Sequence, residues 1–368
     1  MRFVHETLGQ RVRFGSGKAA EMLATEVSDH GAARVMVLAA PAEQELAAGI
    51  TAAIDVALNY AEVVMHVPVE VADRARRSAV AAGADLLVSI GGGSTTGLAK
   101  AVALTTGLPI VAVPTTYAGS EATNVWGLTE GTKKTTGVDP RVLPRSVVYD
   151  AELTLSLPAE MSVASGLNAM AHCIDSMWAP RTDPINQALA GEGIRALSEG
   201  LPQVVADPDG LPGRELALYA AYLSAVAFAS AGSGLHHKIC HYLGGAFNLP
   251  HAQTHAVVLP YVLAINAAAA PQAQRRIAAA LGADDALAGL ALLRERLDAP
   301  RALRDYGLQH DQIPSAAAGI LELVPANNPR ALSAADLKAL LEAAWAGDDP
   351  RRLPVTAGTP VSEESTVP

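Results

Sequence analysis

Ten histidines occur in the 368 residues, and five of them (His236, His237, His241, His251 and His255) fall within a stretch of 20. An isolated histidine reads as an ordinary packed or surface residue. A cluster of this density points to chemistry, because imidazole titrates near neutral pH and is the commonest metal ligand. The spacing is helical. His237 and His241 are four apart, as are His251 and His255, and Asn168 and His172 form a third such pair upstream. In an α-helix each pair shares one face, while His236 points about 100° away from His237. Two chemistries fit these residues. Three converging neutral imidazoles hold zinc or iron, whereas uncoordinated imidazoles donate protons and bind carboxylates. Spacing alone leaves both open.

A second chemical feature lies upstream. Asp85-Leu86-Leu87-Val88-Ser89-Ile90 runs into Gly91-Gly92-Gly93-Ser94, and a helical stretch opens at Thr95. A strand, three glycines, a hydroxyl and a helix N-terminus make a phosphate cradle, since bare backbone N–H groups approach an anion closely and the helix dipole favours it. The spacing is neither the dinucleotide fingerprint G-x-G-x-x-G nor a P-loop. Pro114-Thr115-Thr116, after the next apolar run, adds hydroxyls at the same sheet edge, where open α/β sheets bind ligands. Gly91, Gly92, Gly93, Ser94, Thr95, Thr115 and Thr116 are therefore the candidate dinucleotide-binding residues.

The elements that must position these groups follow from hydrophobic pattern. Short apolar runs at Arg34–Leu38, Ala61–Val67, Asp85–Ile90, Ile110–Val113 and Ser146–Tyr149 predict strands, and Glu43–Leu58, Val71–Ala82 and Thr95–Thr106 predict helices between them. Strands alternating with helices mean right-handed βαβ units and a parallel sheet. From Met161 to Ala346 the pattern is helix after helix, including Pro184–Val205 and Arg214–Ala229, which is apolar nearly all round, with Ser333 as the N-cap of a last helix. The expected fold is an α/β nucleotide-binding domain over residues 1–152, an all-helical substrate domain over 153–353, and a polar, disordered tail over 354–368. The function belongs in the cleft between the domains.

Composition narrows the partners. Half the residues are hydrophobic, 17% are charged and the net charge is −10, which argues against nucleic acid or an anionic membrane as a partner. No apolar run reaches membrane-spanning length and the N-terminus lacks a signal-peptide pattern, so a cytoplasmic location is expected. Cys173 and Cys240 read as reduced thiols rather than a disulfide framework.

Taken together, several landmarks resemble the iron-containing (group III) alcohol dehydrogenase superfamily, whose fold is shared with dehydroquinate synthase. They are Gly91 to Ser94, Pro114 to Thr116, Asp139-Pro140 through Leu143-Pro144, Asp150 to Pro158, Gly166 to His172, His237 to His241, and Pro250-His251. In metal-using members an Asp and three His bind the cation; here Asn168 stands at the Asp position, with His172, His237 and His251 at the others. An Asp usual three residues after the glycine loop is Gly97. These departures, with His236 to His241 and Trp126 to Glu130, resemble the maleylacetate reductase family within that superfamily. Its members are regarded as using NADH or NADPH without a metal to reduce the C=C bond of maleylacetate, giving 3-oxoadipate in bacterial aromatic degradation.

The resemblance implies catalytic roles for His241, as proton donor or enolate stabiliser, and for His172, His237 and His251, which orient the substrate. Asn168, Lys238 and Tyr117 would contact the small dicarboxylate, with Trp126 as a wall residue and protonated imidazoles neutralising the dianion. Lys133 and Lys134 read as solvated. NADH is the first choice of cofactor. NADPH is also possible, because no acid stands at Ala39-Ala40-Pro41 to repel its extra phosphate. No metal is expected, and a homodimer is. The rival readings are a metal-dependent alcohol or polyol dehydrogenase and a non-catalytic nucleotide sensor.

Overall fold

Strands buried on both faces must be apolar throughout, and the four cleanest predicted runs behave that way. In the computed structural model, which describes residues 2–131 and 133–353, the first part of the chain runs through β1 (Arg11–Phe14), α1 (Ala19–Asp29), β2 (Val35–Leu38), α2 (Gln44–Ile50), β3 (Val56–Tyr60), α3 (Val69–Ala81), β4 (Leu86–Gly91), α4 (Gly93–Thr106), β5 (Ile110–Pro114), β6 (Val125–Glu130), β7 (Lys133–Val138) and β8 (Ser146–Tyr149). Six strands form one parallel sheet in the order β1-β8-β5-β4-β2-β3. Every residue of β2, β4, β5 and β8 is buried.

The edges are where sequence reading fails. β1 and β3 bury only part of their residues, so β1 carries no apolar run and β3 hides inside the Ala-rich stretch Glu43–Leu58, which reads as one helix. Helix α2 ends at Ile50, and Ala61–Val67 is a loop rather than a strand. Its last residues, His66 (φ 64°) and Val67 (φ 50°), hold left-handed backbone, which is strained for a β-branched residue. The antiparallel pair β6–β7 holds this loop: the Thr129 N–H donates to Val67 O (3.1 Å) and the Thr129 hydroxyl to His66 O (2.8 Å). Opposite the loop, a Cβ at Gly97 would sit 3.0 Å from Val67 Cγ2, so Gly97 is what lets the loop close on α4.

After β8 a short 3₁₀ turn (Ala151–Thr154) leads to α5 (Ala159–Ser176), α6 (Pro184–Ala206), α7 (Leu211–Ala231), α8 (Leu235–Phe247), α9 (His251–Ala267), α10 (Pro271–Ala280), α11 (Ala286–Arg296), α12 (Ile313–Leu321) and α13 (Ala334–Ala346). Helix α5 is the axis of this half; it is buried from Ser162 to Ser176 and packs on α6, α7 and α9. Arg214, fully buried on α7, donates to the carbonyls of Thr154, Leu157 and Pro208, satisfying its charge on the connection between the halves. Ser333 caps α13 as its spacing predicts. Among the described residues no single helix is long and apolar enough to cross a membrane; α7 and α8 pass that test only as a pair bent by 100°. The tail expected over 354–368 and the side chains of Lys133 and Lys134 lie outside the described residues.

Candidate active site

The sheet order places a topological switch between β2, which continues outward to β3, and β4, which continues the other way to β5. The glycine loop leaves β4 at this switch, where open sheets take their ligands. Gly91 (φ 148°) ends the strand, Gly92 is the N-cap of α4, and no side chain caps that helix. The N–H groups of Gly93 and Ser94 therefore remain available to an anion, while that of Thr95 already donates to Gly92 O (3.1 Å). Register pairs Gly91 with Pro114 and so brings Thr115 and Thr116 alongside.

A cleft of about 480 Å³ opens from this loop towards the helical half. Gly93, Ser94 and Thr116 line it on the sheet side and Asn168, His172, His237, His241 and His251 on the helical side, with Trp126 in one wall. Gly91, Gly92, Thr95 and Thr115 are not in its lining. They lie beneath it: Thr95 and Thr115 are buried, and the Thr115 hydroxyl donates to Glu43 Oε1 (2.8 Å). A Cβ at Gly91 would meet both Glu43 and Thr95. Neither Tyr117 nor Lys238, both expected to contact the substrate, is among the residues lining the cleft; Tyr117 is fully buried with its hydroxyl 3.4 Å from Thr154 Oγ1.

The histidines gather as the spacing requires. The α8 ring of His237 stacks on His172 (centroids 4.8 Å apart, 14° between planes) and meets His241 at 5.9 Å; the α9 ring of His251 lies 6.2 Å from His241. His241 and His251 are half-buried, whereas His172 and His237 are buried. Burial pushes His172 down to about 4 and, with neighbouring imidazoles, His236 down to about 3 and His237 and His255 well below the ordinary value. These four rings are neutral at pH 7. The expected positively charged bed is therefore corrected for them: deep burial outweighs the usual imidazole basicity.

Several working residues escape sequence reading. Asp175, one turn beyond His172 on α5, accepts a hydrogen bond from His237 Nδ1 (2.8 Å) and from the N–H of Gly234 (2.9 Å) at the start of α8. Burial raises its pKa while these N–H groups oppose the rise. It fixes the neutral tautomer of His237, leaving Nε2 without a protein partner; Asn168 Oδ1 and His172 Nδ1 are likewise buried and unpartnered. The i, i+3 spacing of His172 and Asp175 was the available signal. Lys100 lines the cleft, but it spends its protons on the carbonyls of Ser120 and Val125 and on the Thr123 hydroxyl, and burial lowers it to about 7. It builds the wall rather than presenting a free cation. Glu43 reaches the glycine loop only because α2 folds back over the switch.

Does this set suit the cation that the resemblance brings to mind? Asn168 supplies no charge to balance a dication, and the rings of His172 and His237 lie nearly parallel, with 14° between their planes. The residues do not fit a closed dication site. The glycine loop, by contrast, fits a dinucleotide pyrophosphate.

A sheet with this switch, a glycine loop and an imidazole-lined cleft defines a class of nucleotide-dependent oxidoreductases, and comparison with known proteins agrees. Residues 9–151 match the iron-containing alcohol dehydrogenase model and residues 162–345 the C-terminal model of the Fe-containing alcohol dehydrogenase family. The chain belongs to the iron-containing alcohol dehydrogenase family. Within it, the chain is 47% identical to maleylacetate reductase from Burkholderia cepacia over 351 residues (95% of this chain, 99% of that one). It is 46% identical to the Sphingobium indicum enzyme of that name (95% and 99%). Among solved structures, iron-containing alcohol dehydrogenase from Corynebacterium glutamicum superposes with a TM-score of 0.95 at 62% identity (96% and 99% covered). Maleylacetate reductase from Agrobacterium tumefaciens superposes at 0.90 and 42% identity (95% and 100%). The resemblance read from the residues, and the α/β plus helical fold, are borne out.

Proposed function

We propose that the chain reduces the C=C bond of maleylacetate to 3-oxoadipate in bacterial aromatic degradation, using NADH or, less readily, NADPH, and no metal in the cleft. The observation that carries this reading is a cleft with an uncapped helix N-terminus on one side and a set of imidazoles unsuited to a dication on the other. When bound, the dinucleotide supplies the hydride that adds to the alkene carbon β to the ketone, leaving an enolate. The Gly93 and Ser94 N–H groups of α4, with the Ser94 and Thr116 side chains, hold its pyrophosphate. The Glu43 carboxylate beside the loop disfavours a further phosphate, which supports NADH as the preferred donor.

His241, half-buried and open to reprotonation, delivers the proton to the carbon α to the ketone. His172, His237, His251 and Asn168 orient the substrate. Neutral lone pairs cannot by themselves hold a dicarboxylate, so the imidazoles take up protons as the substrate enters. Asp175 stabilises the charge that forms on His237. The polarised enolate oxygen is held by these donors instead of a Lewis acid. The chain works in the cytoplasm as a homodimer in this reading.

A second reading, a metal-dependent dehydrogenase, is favoured by one feature: Asp175 accepts from His237 Nδ1 in the way that carboxylates orient metal-bound imidazoles. One experiment separates the two. NADH absorbance is followed with maleylacetate before and after chelation. The proposal expects oxidation that chelation leaves unchanged. Zinc or iron at one equivalent, lost together with activity, would overturn the metal-free reading, and absence of any NADH oxidation would overturn the substrate.

A further inference from the structure

One layer behind the cleft, three side chains converge where the cleft histidines do not. His236 and Cys240, four apart on α8, and His255 on α9 are all buried, and their ligand atoms lie within 4.8 Å of one another. His236 Nε2 is 3.0 Å from His255 Nδ1 and 3.6 Å from Cys240 Sγ. A tetrahedral zinc site, with Zn–N near 2.0–2.1 Å and Zn–S near 2.3 Å, has edges of roughly 3.3 Å between nitrogens and roughly 3.6 Å between nitrogen and sulfur. The two edges at His236 are close to that spacing, and the third, between Cys240 and His255, lies within 4.8 Å.

We propose that His236, Cys240 and His255 form a second, inner site for a thiophilic divalent cation of the zinc class, distinct from the cleft. Charge supports it. Burial and the neighbouring Asp175 carboxylate push the free Cys240 thiol up; a bound dication offsets both, being balanced by the Cys240 thiolate and the Asp175 carboxylate, so no net charge is left buried. The proton count also closes. In the free protein one of the two rings donates the shared hydrogen bond. On metal binding both inner nitrogens become ligands, and each ring carries its proton on the outer nitrogen, His236 Nδ1 or His255 Nε2. Both outer atoms are buried without a partner. The Cys240 S–H bond breaks, the S–metal bond forms, and one proton leaves per ion bound. The ring of His251, half-buried at the cleft and 4.3 Å from His255 centroid to centroid, marks the way in.

The test uses the full-length chain, stripped by chelation, freed of chelator and titrated with Co²⁺ under reducing conditions. The thiolate-to-cobalt absorption in the near ultraviolet reports sulfur ligation independently of any activity, so it stands or falls apart from the substrate assignment. The expected result is saturation at one equivalent, release of one proton per ion, a band kept in His172→Gln, no band in Cys240→Ser, and at least tenfold weaker binding in His255→Gln. Absence of the band in the unmodified chain, its survival in Cys240→Ser, its loss in His172→Gln, or unchanged affinity in His255→Gln would each overturn the site.

Discussion

At the scale of single residues, the site depends on which imidazoles hold protons. His241→Ala should lower kcat/KM roughly 100-fold or more, as loss of a general acid does; a variant keeping most of its activity removes His241 from the mechanism. Asp175→Asn leaves the packing but unsettles the His237 tautomer, and a fall of roughly 10–100-fold is expected, mainly in kcat. His172 carries a sign that can be checked by denaturation. Its folded pKa of about 4 lies below the unfolded value near 6.5, so the unfolded chain takes the proton first as pH falls. Its stabilisation is full above about pH 6.5 and is lost towards pH 4, with a slope of up to about 1.4 kcal/mol per pH unit. His172→Gln should therefore lose stability less steeply with acid across that window; equal slopes would mean His172 is charged in the fold. The sequence showed which histidines would meet. It could not show that burial would make them neutral, because burial depends on α5 lying at the centre of the helical half.

At the scale of elements, the wall after β5 turns on Gly119, whose left-handed backbone (φ 76°) lies against α7: a Cβ there would sit 2.8 Å from Ala225 Cβ. Gly119→Ala should cost roughly 1–3 kcal/mol in urea denaturation and displace the wall facing His172, lowering kcat/KM as well. An unchanged midpoint would show that α7 gives way freely. Legibility at this scale followed burial. β2, β4, β5 and β8, covered on both faces, were readable as apolar runs. β1 and β3, half-wet at the sheet edges, and the β6–β7 pair, held by cross-strand contacts, left no comparable trace. Tyr117 and Lys238 show a related limit: both are sequence neighbours of cleft residues, yet neither lines the cleft.

At the scale of the whole molecule, the net charge of −10 faces a dianionic substrate without a fixed positive bed in the cleft. Long-range repulsion should slow association at low ionic strength, and salt should relieve it. kcat/KM for maleylacetate is expected to rise, up to a few-fold, between 10 and 150 mM salt, about the range over which the Debye length contracts to roughly 8 Å. A fall over that range would reveal a local positive field. The two-part fold was legible because the change from alternating strands and helices to helices alone is a bulk property of the chain. Contacts within each half, such as the Thr115 hydroxyl on Glu43 and Asp175 reaching the start of α8, arise from packing that no local pattern encodes.

The close approach of Val67 to Gly97 has a consequence for what position 97 tolerates. An aspartate, usual at that place in the wider family by the resemblance drawn above, would meet Val67 at its first side-chain atom. Loop and glycine therefore constrain each other: any side chain at position 97 requires Val67, held in left-handed backbone, to give by a few tenths of an ångström. Grafting an aspartate there should succeed best when Val67 is made smaller in the same chain.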